Sequence, residues 1–146
     1  MDIWEILYEK AKVLYHPKEL SPFVYAYNVI CALECENGEI YIGTCIESLY
    51  GVVNICAERA AAINMLINSN QTVVKRMIVF RNEPPTGGGS GMPCGACREF
   101  FLQLNEKNKD MEIMVNYSTR ETITLKELMP NWWGYERYEE QKLLDK

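Results

Sequence analysis

The chain carries cysteine in two places that only a restricted set of folds can bring together. One is Cys56, in the run Cys56-Ala57-Glu58; the other is Cys94 with Cys97, in Pro93-Cys94-Gly95-Ala96-Cys97. At i, i+3 spacing, the first turn of one helix shows Cys94 and Cys97 to a single point. Cys56 stands at the start of a second predicted helix. If the three thiols share one ligand, two helices remote in sequence must meet at their N-terminal ends. Helix N-termini stabilise negative charge, so this arrangement favours thiolate over thiol at all three positions.

Three cysteines form a zinc-ligand set with the fourth coordination position left to water, as in catalytic sites. His16 is the only histidine. It lies beside Pro17 at a predicted helix end, far from both motifs, and is read as a surface residue. The ligands of such a site are therefore all sulfur: Cys56, Cys94 and Cys97. Glu58 is the fourth element. Residues i and i+2 point to different sides of a helix, so Glu58 is expected to carry protons rather than to chelate. It would act first as a general base toward water and then as a general acid toward substrate. Arg59 and Arg98, each adjacent to a motif, are candidates to hydrogen-bond the sulfurs and offset their negative charge. Two other readings of the cysteines stand beside this one. A CxxC can be a redox pair, or half of a structural zinc site whose fourth ligand would be Cys31, Cys35 or Cys45. Those three fall in predicted strands, where cysteine commonly behaves as a small buried hydrophobe.

Composition narrows the function classes. The formal net charge is -5, and the basic residues are scattered rather than clustered. Nucleic-acid affinity needs a basic face, so a polynucleotide substrate is disfavoured. No apolar run approaches the roughly 18 residues of a membrane span. Met1-Asp2-Ile3-Trp4-Glu5 is acidic where a secretion signal would be basic. The expectation is a cytoplasmic protein with reduced cysteines. With 146 residues and no linker, repeat or charge block, it is expected to form one domain, 1–146, able to bury a sizeable core.

Periodicity predicts a helix over 3–15 with Ile3, Leu7, Ala11 and Leu14 on one face. Pro17 and Pro22 break it. A strand over 24–35, the Asn37-Gly38 turn and a return strand with alternating Ile40, Ile42 and Ile46 make a hairpin. A helix from 54 to 69 follows, with Ala60-Ala61-Ala62 permitting close packing, then a strand over 73–80. Residues 84–92 hold four glycines and two prolines and must be a loop. A helix over 94–104, strands over 111–117 and 122–125, and a helix after Trp132-Trp133 complete the order α-β-β-α-β-α-β-β-α. The acidic stretch from Glu136 onward reads as a solvated helix. The fold class is α/β, a mixed five-stranded sheet with helices packed on it.

The run Cys-Ala-Glu followed by Pro-Cys-Gly-Ala-Cys-Arg-Glu resembles the signature of the zinc-dependent cytidine deaminase family, in its three-cysteine variant. Gly43-Thr44-Cys45-Ile46-Glu47, ahead of Cys56, and Leu128-Met129-Pro130-Asn131-Trp132-Trp133-Gly134 extend the resemblance to nearly the whole chain. It implies a three-layer α-β-α sandwich and a zinc cofactor that activates water toward C4 of a cytosine nucleoside, releasing ammonia. It implies that Cys56, Cys94 and Cys97 hold zinc and that Glu58 shuttles protons. Backbone groups at Ala57 and Met92 would meet the base, Glu47 a ribose hydroxyl, and Tyr27 and Trp133 the base or sugar. The resemblance also implies a homotetramer, with the C-terminal aromatic segment partly in its interfaces. Where the family carries Asn-x-Glu, this chain has Cys45 two residues before Glu47, and cysteine supplies neither amide donors nor a carbonyl acceptor. The family's Val-Gly-Ala-Ala stands here as Val29-Ile30-Cys31-Ala32. The pattern ahead of Cys56 is also similar to some blasticidin-S deaminases, which makes that cytosine antibiotic the alternative substrate.

Overall fold

The structure is a computed structural model that describes residues 1–145; residue 146, the last of the expected domain and of the acidic stretch, lies outside them. The elements in order are α1 (Ile3–Lys12), β1 (Lys18–Glu19), β2 (Tyr25–Cys35), β3 (Ile40–Glu47), α2 (Ala57–Ser69), β4 (Val74–Phe80), α3 (Gly95–Leu104), β5 (Glu112–Asn116), β6 (Glu121–Thr124), α4 (Leu125–Leu128) and α5 (Tyr135–Leu144). Short 3-10 turns occupy Gly51–Val53 and Glu106–Asp110.

One mixed sheet organises the molecule. β2 lies between β3 on one edge and β4 on the other, antiparallel to both, and β4 pairs with β5 in parallel. β6 closes the far side, antiparallel to β5. The sheet has six strands where five are expected. The extra one is β1, two residues that pair with Tyr25 and Ala26. Because β3 holds the opposite edge of β2, β1 takes the stretch that β4 leaves uncovered. A pair of residues between two prolines carries no periodicity by which to recognise it.

Helices cover both faces of this sheet. On one side Trp4, Leu7 and Ala11 of α1 pack on Ile30, Ala32, Ile78, Phe80 and Met114. The buried face of α1 is thus centred on Trp4, with the expected Ile3 and Leu14 only half-buried at its margin. On the other side α2, α3 and α4 pack on Cys31, Leu33, Cys35, Met77, Val79 and Ile113. From Ile30 to Cys35 every residue of β2 is buried, because successive side chains feed opposite cores. β3 does alternate, but the expected isoleucines are not its buried set, and Ile46 is exposed. Ile40 and Ile42 flank the α1 layer, whereas the fully buried residues are Gly43 and Cys45 beneath α2. Gly43 is needed for that closeness: a Cβ there would fall on the Ala61 amide nitrogen and 2.5 Å from the Ala57 carbonyl oxygen. The alanine run lets α2 lie directly on the β3 backbone.

Two buried polar groups fasten the layers. Asn108 accepts from the Val74 amide at 2.7 Å and donates to the Phe101 and Thr72 carbonyls, both at 2.9 Å. It thereby joins the start of β4 to the end of α3. Glu34 pairs with Arg76 across β2 and β4 at 2.6 Å. α5 buries no residue of its own; Tyr138 Oη donates to Leu102 O at 2.6 Å, and Lys142 pairs with Glu106 at 3.0 Å. No helix of the described residues is long and apolar enough to cross a membrane.

Candidate metal centre

The topology dictates where two helices begin. β3 and β4 are both antiparallel to β2, so they run parallel to each other, with α2 as the crossover between them. α3 is the crossover from β4 to β5. Both crossovers step the same way along the sheet, and right-handed connections then put both helices on one face. Their N-termini rise from the same end of the sheet, which is how positions 38 residues apart meet. Cys56 is the N-cap of α2 and Cys94 the N-cap of α3.

The sulfurs of Cys56, Cys94 and Cys97 form one group, all within 4.8 Å of one another. Cys56 to Cys94 and Cys94 to Cys97 are each 3.5 Å. Tetrahedral zinc with Zn–S bonds near 2.3 Å sets its sulfurs about 3.8 Å apart, a spacing close to the two measured pairs and within the 4.8 Å that bounds the group. All six cysteines are free thiols. Cys31, Cys35 and Cys45 stand apart from the group and are buried in the sheet, which leaves a structural zinc site without a fourth sulfur among the described residues.

The thiols do not ionise alike. Burial pushes Cys94 up, but hydrogen bonds from the Cys97 amide and from the Cys56 and Cys97 thiols outweigh it and leave Cys94 more acidic than usual. Cys97 is pushed well up by burial and by the negative charge of Glu58 and Cys56. At Cys97 burial and neighbouring negative charge thus oppose the preference for thiolate that the helix N-terminus confers. A bound cation is the ordinary means of deprotonating a thiol held like Cys97.

Glu58 lies in the first turn of α2 and is only 5% exposed. Burial raises its carboxyl above the usual carboxylate range, opposed by its own amide, by Arg59 and by a hydrogen bond from Cys97. It sits beside the sulfurs without joining their 4.8 Å group. Arg59 donates from an Nη to Cys56 Sγ at 3.5 Å, and its contacts with Cys56 and Cys97 hold it firmly as a cation. Arg98 behaves otherwise. Its Nε donates to the Pro93 carbonyl at 2.8 Å, so it clamps the segment entering α3 instead of a sulfur.

The segment between Pro84 and Pro93 is a loop, as expected, and it is pinned rather than loose. Tyr117 N donates to Pro85 O at 2.9 Å, and Asn116 Nδ2 to Thr86 O at 3.2 Å. Met92 at its end is half-buried against the α2–α3 core, and Ala57 is fully buried.

The remaining expected site residues divide in two. Ile46 exchanges both backbone hydrogen bonds with Ile55, at 2.9 and 3.0 Å. That bridge sets Cys45 opposite Cys56 and Glu47 opposite Asn54, which ties the end of β3 to the metal centre. Tyr27 lies nearby in β2, at a positive φ of 64°, stacked on the His16 ring at 4.2 Å. Burial pushes the Cys45 thiol up, and that thiol donates to Asn28 Oδ1 at 2.8 Å. Trp133 belongs to a different neighbourhood. It is 64% exposed, with its ring beside Trp132 and its Nε1 3.3 Å from Glu99. Glu99 also accepts from Trp132 Nε1 at 3.0 Å, so it fastens the C-terminal segment to α3. Sequence reasoning missed Glu99 and Asn28. Glu99 follows the second cysteine motif directly and was legible there; Asn28 had no such signal.

No protein-family model matches the chain. Among solved structures, the cytidine deaminase of Mycobacterium tuberculosis superimposes with a TM-score of 0.67, over 92% of this chain and 99% of that one, at 21% identity. That likeness is one of fold. A cytidine deaminase of Sporosarcina psychrophila is 28% identical over 93% of this chain and 94% of its own length. That of Halalkalibacterium halodurans is 30% identical over 71% of this chain and 75% of its own. Identity at that level and over that span, with the two cysteine motifs meeting at one point, makes this chain a member of the cytidine deaminase family.

Proposed function

We propose that the chain is a zinc-dependent hydrolase that converts cytidine or deoxycytidine to the uracil nucleoside and ammonia. The observation that carries this reading is the meeting of three thiols with a buried carboxyl that stands beside them and outside their group. Cys56, Cys94 and Cys97 would hold zinc, which would supply the Lewis acidity needed to make a water nucleophilic near neutral pH. The rest falls to the chain. Hydrolysis of an amidine moves both protons of the attacking water, one to the ring nitrogen as the C–O bond forms and the other to the amine that departs as ammonia when the C–N bond breaks. Glu58 performs these transfers, and its burial keeps the proton affinity of its carboxyl high enough to give as well as take. Arg59 offsets the charge of the sulfurs. Backbone groups of Ala57 and Met92 border the base, with Tyr27 and Glu47 toward the sugar. Arg98 acts at one remove, by holding the loop that delivers Cys94.

The names of the relatives favour cytidine over blasticidin S. Trp133 is largely exposed with its Nε1 held at Glu99, and Leu49, Tyr50, Val52 and Val53 are exposed just ahead of Cys56. Both observations support a homotetramer in which neighbours complete each other's sites. Free thiols throughout suit a reducing, cytoplasmic setting.

The test is a paired measurement on the purified protein. Metal analysis is expected to find about one zinc per chain, as a three-ligand mononuclear site requires. The ultraviolet band of cytosine is expected to decay on cytidine and deoxycytidine, and not once zinc has been chelated. Zinc-loaded protein inert toward both nucleosides would sink the reading.

A further inference from the structure

β2 carries an irregularity beside the metal centre. Ala26 pairs with Ile46 and Ile30 with Thr44, so Tyr27, Asn28 and Val29 together oppose the single residue Cys45. Such bulges re-aim side chains. Tyr27 absorbs this one in the left-handed region, and its amide donates to Thr44 Oγ1 at 3.1 Å. The bulge brings the Asn28 side chain across to β3. There its Oδ1 accepts from Cys45 Sγ at 2.8 Å and its Nδ2 donates to Glu47 Oε1 at 3.0 Å. The thiol donor fixes which end of the amide faces which neighbour, and so turns the NH2 group toward the carboxylate.

Two groups remain open. Glu47 Oε2 and the second N–H of Asn28 have no partner among the described residues. An acceptor and a donor side by side, on a half-exposed strand end, complement a hydroxyl, which both gives and accepts a hydrogen bond. The place is right as well, since Cys45 opposes Cys56 through the Ile46–Ile55 bridge.

We propose that Asn28 is a positioning and specificity residue for the sugar. Held by Cys45, its amide aims Glu47 at a sugar hydroxyl and supplies beside it the N–H donor that a cysteine at position 45 cannot. This rests on the reading of the site as a nucleoside deaminase. Losing the Asn28 donor, and with it the aim of the Glu47 carboxylate on the hydroxyl, costs roughly ten- to hundred-fold in affinity, the range for a hydrogen bond to a charged group. Because the contact lies away from the reacting carbon, that loss belongs to KM and leaves kcat nearly unchanged.

The experiment compares deoxycytidine with 2′,3′-dideoxycytidine, which lacks the hydroxyl, on wild type, Asn28→Ala and Asn28→Asp. The expected result is a KM for deoxycytidine raised about ten-fold or more in both variants. The KM for the dideoxynucleoside should move less than about three-fold, and kcat and zinc content should hold. Asn28→Asp keeps the side-chain shape while removing the donor, so the question is answered even if Asn28→Ala folds poorly. Unchanged KM values, or equal losses on both nucleosides, overturn the assignment while leaving the deaminase reading intact. A zinc-loaded wild type that turns over neither nucleoside fails that reading and takes the assignment with it.

Discussion

Glu58 owes its chemistry to the residue at which α2 begins. With Cys56 as N-cap, Glu58 falls in the first turn, and its side chain turns inward beneath the sulfurs instead of outward to solvent. Glu58→Gln keeps the volume and removes the exchangeable proton. It is expected to lower kcat by about 10²–10⁴, the range for a lost general acid–base, while zinc content stays at the wild-type level. Metal analysis and the cytosine absorbance assay on one preparation read both quantities. A variant retaining more than a third of wild-type kcat would assign proton transfer to another group. Much of this residue scale is legible in the sequence, because metal ligation and proton transfer demand particular side chains at fixed spacing. Arg98 shows where legibility stops. Its neighbour in sequence is a ligand, yet its guanidinium satisfies the Pro93 carbonyl, a need that no pattern advertises. Asn28 is hidden for a related reason: its partners lie on another strand, across a bulge that periodicity does not reveal.

At the scale of elements, the site depends on how α2 sits on β3. Gly43 and the alanines opposite it allow backbone to approach backbone, and Cys56 and Glu58 are carried on the near end of that helix. In Gly43→Ala the new methyl would meet main-chain atoms, which cannot rotate aside. The expected cost is about 3 kcal/mol, the upper range for overpacking, or a fall of about 10 °C in the unfolding temperature. The strain enters at the helix that presents Cys56, so zinc per chain should fall as well. Thermal unfolding and zinc stoichiometry check the two parts; wild-type values for both would mean that α2 is seated differently. The helices and long strands were legible because their apolar periods are strong. The weighting of the β3 faces was not: isoleucine marks hydrophobicity, while the closest packing in this sheet is made by a glycine and a cysteine. β1 has two residues and owes its existence to the free flank of β2, which only the assembled sheet creates.

The whole molecule leaves apolar side chains in water at one place in particular. Leu49, Tyr50, Val52 and Val53 are 69%, 73%, 95% and 61% exposed, four apolar residues within five, on the segment that leads into Cys56. The outer face of α2 adds Ile63 and Ile67, at 41% and 77%. Scattered apolar residues on a surface need no explanation, but a cluster beside a functional centre marks an interaction surface. The tetramer proposed above would cover it. Placing a charge at the middle of such an interface leaves that charge buried without a partner, which costs several kcal/mol per contact and should release subunits. Val52→Asp is the natural choice. As the most exposed of the set it has no packing to lose within the chain, so an effect on mass reports association rather than folding. Light scattering is expected to give about four chains for wild type and fewer for Val52→Asp, each retaining zinc because all three sulfurs come from one chain. Turnover should fall with the mass, since Trp133, held at Glu99 and largely exposed, would meet a site across an interface. A wild-type protein that is monomeric at micromolar concentration and fully active would remove the need for neighbours, and with it any part for Trp133 in the site.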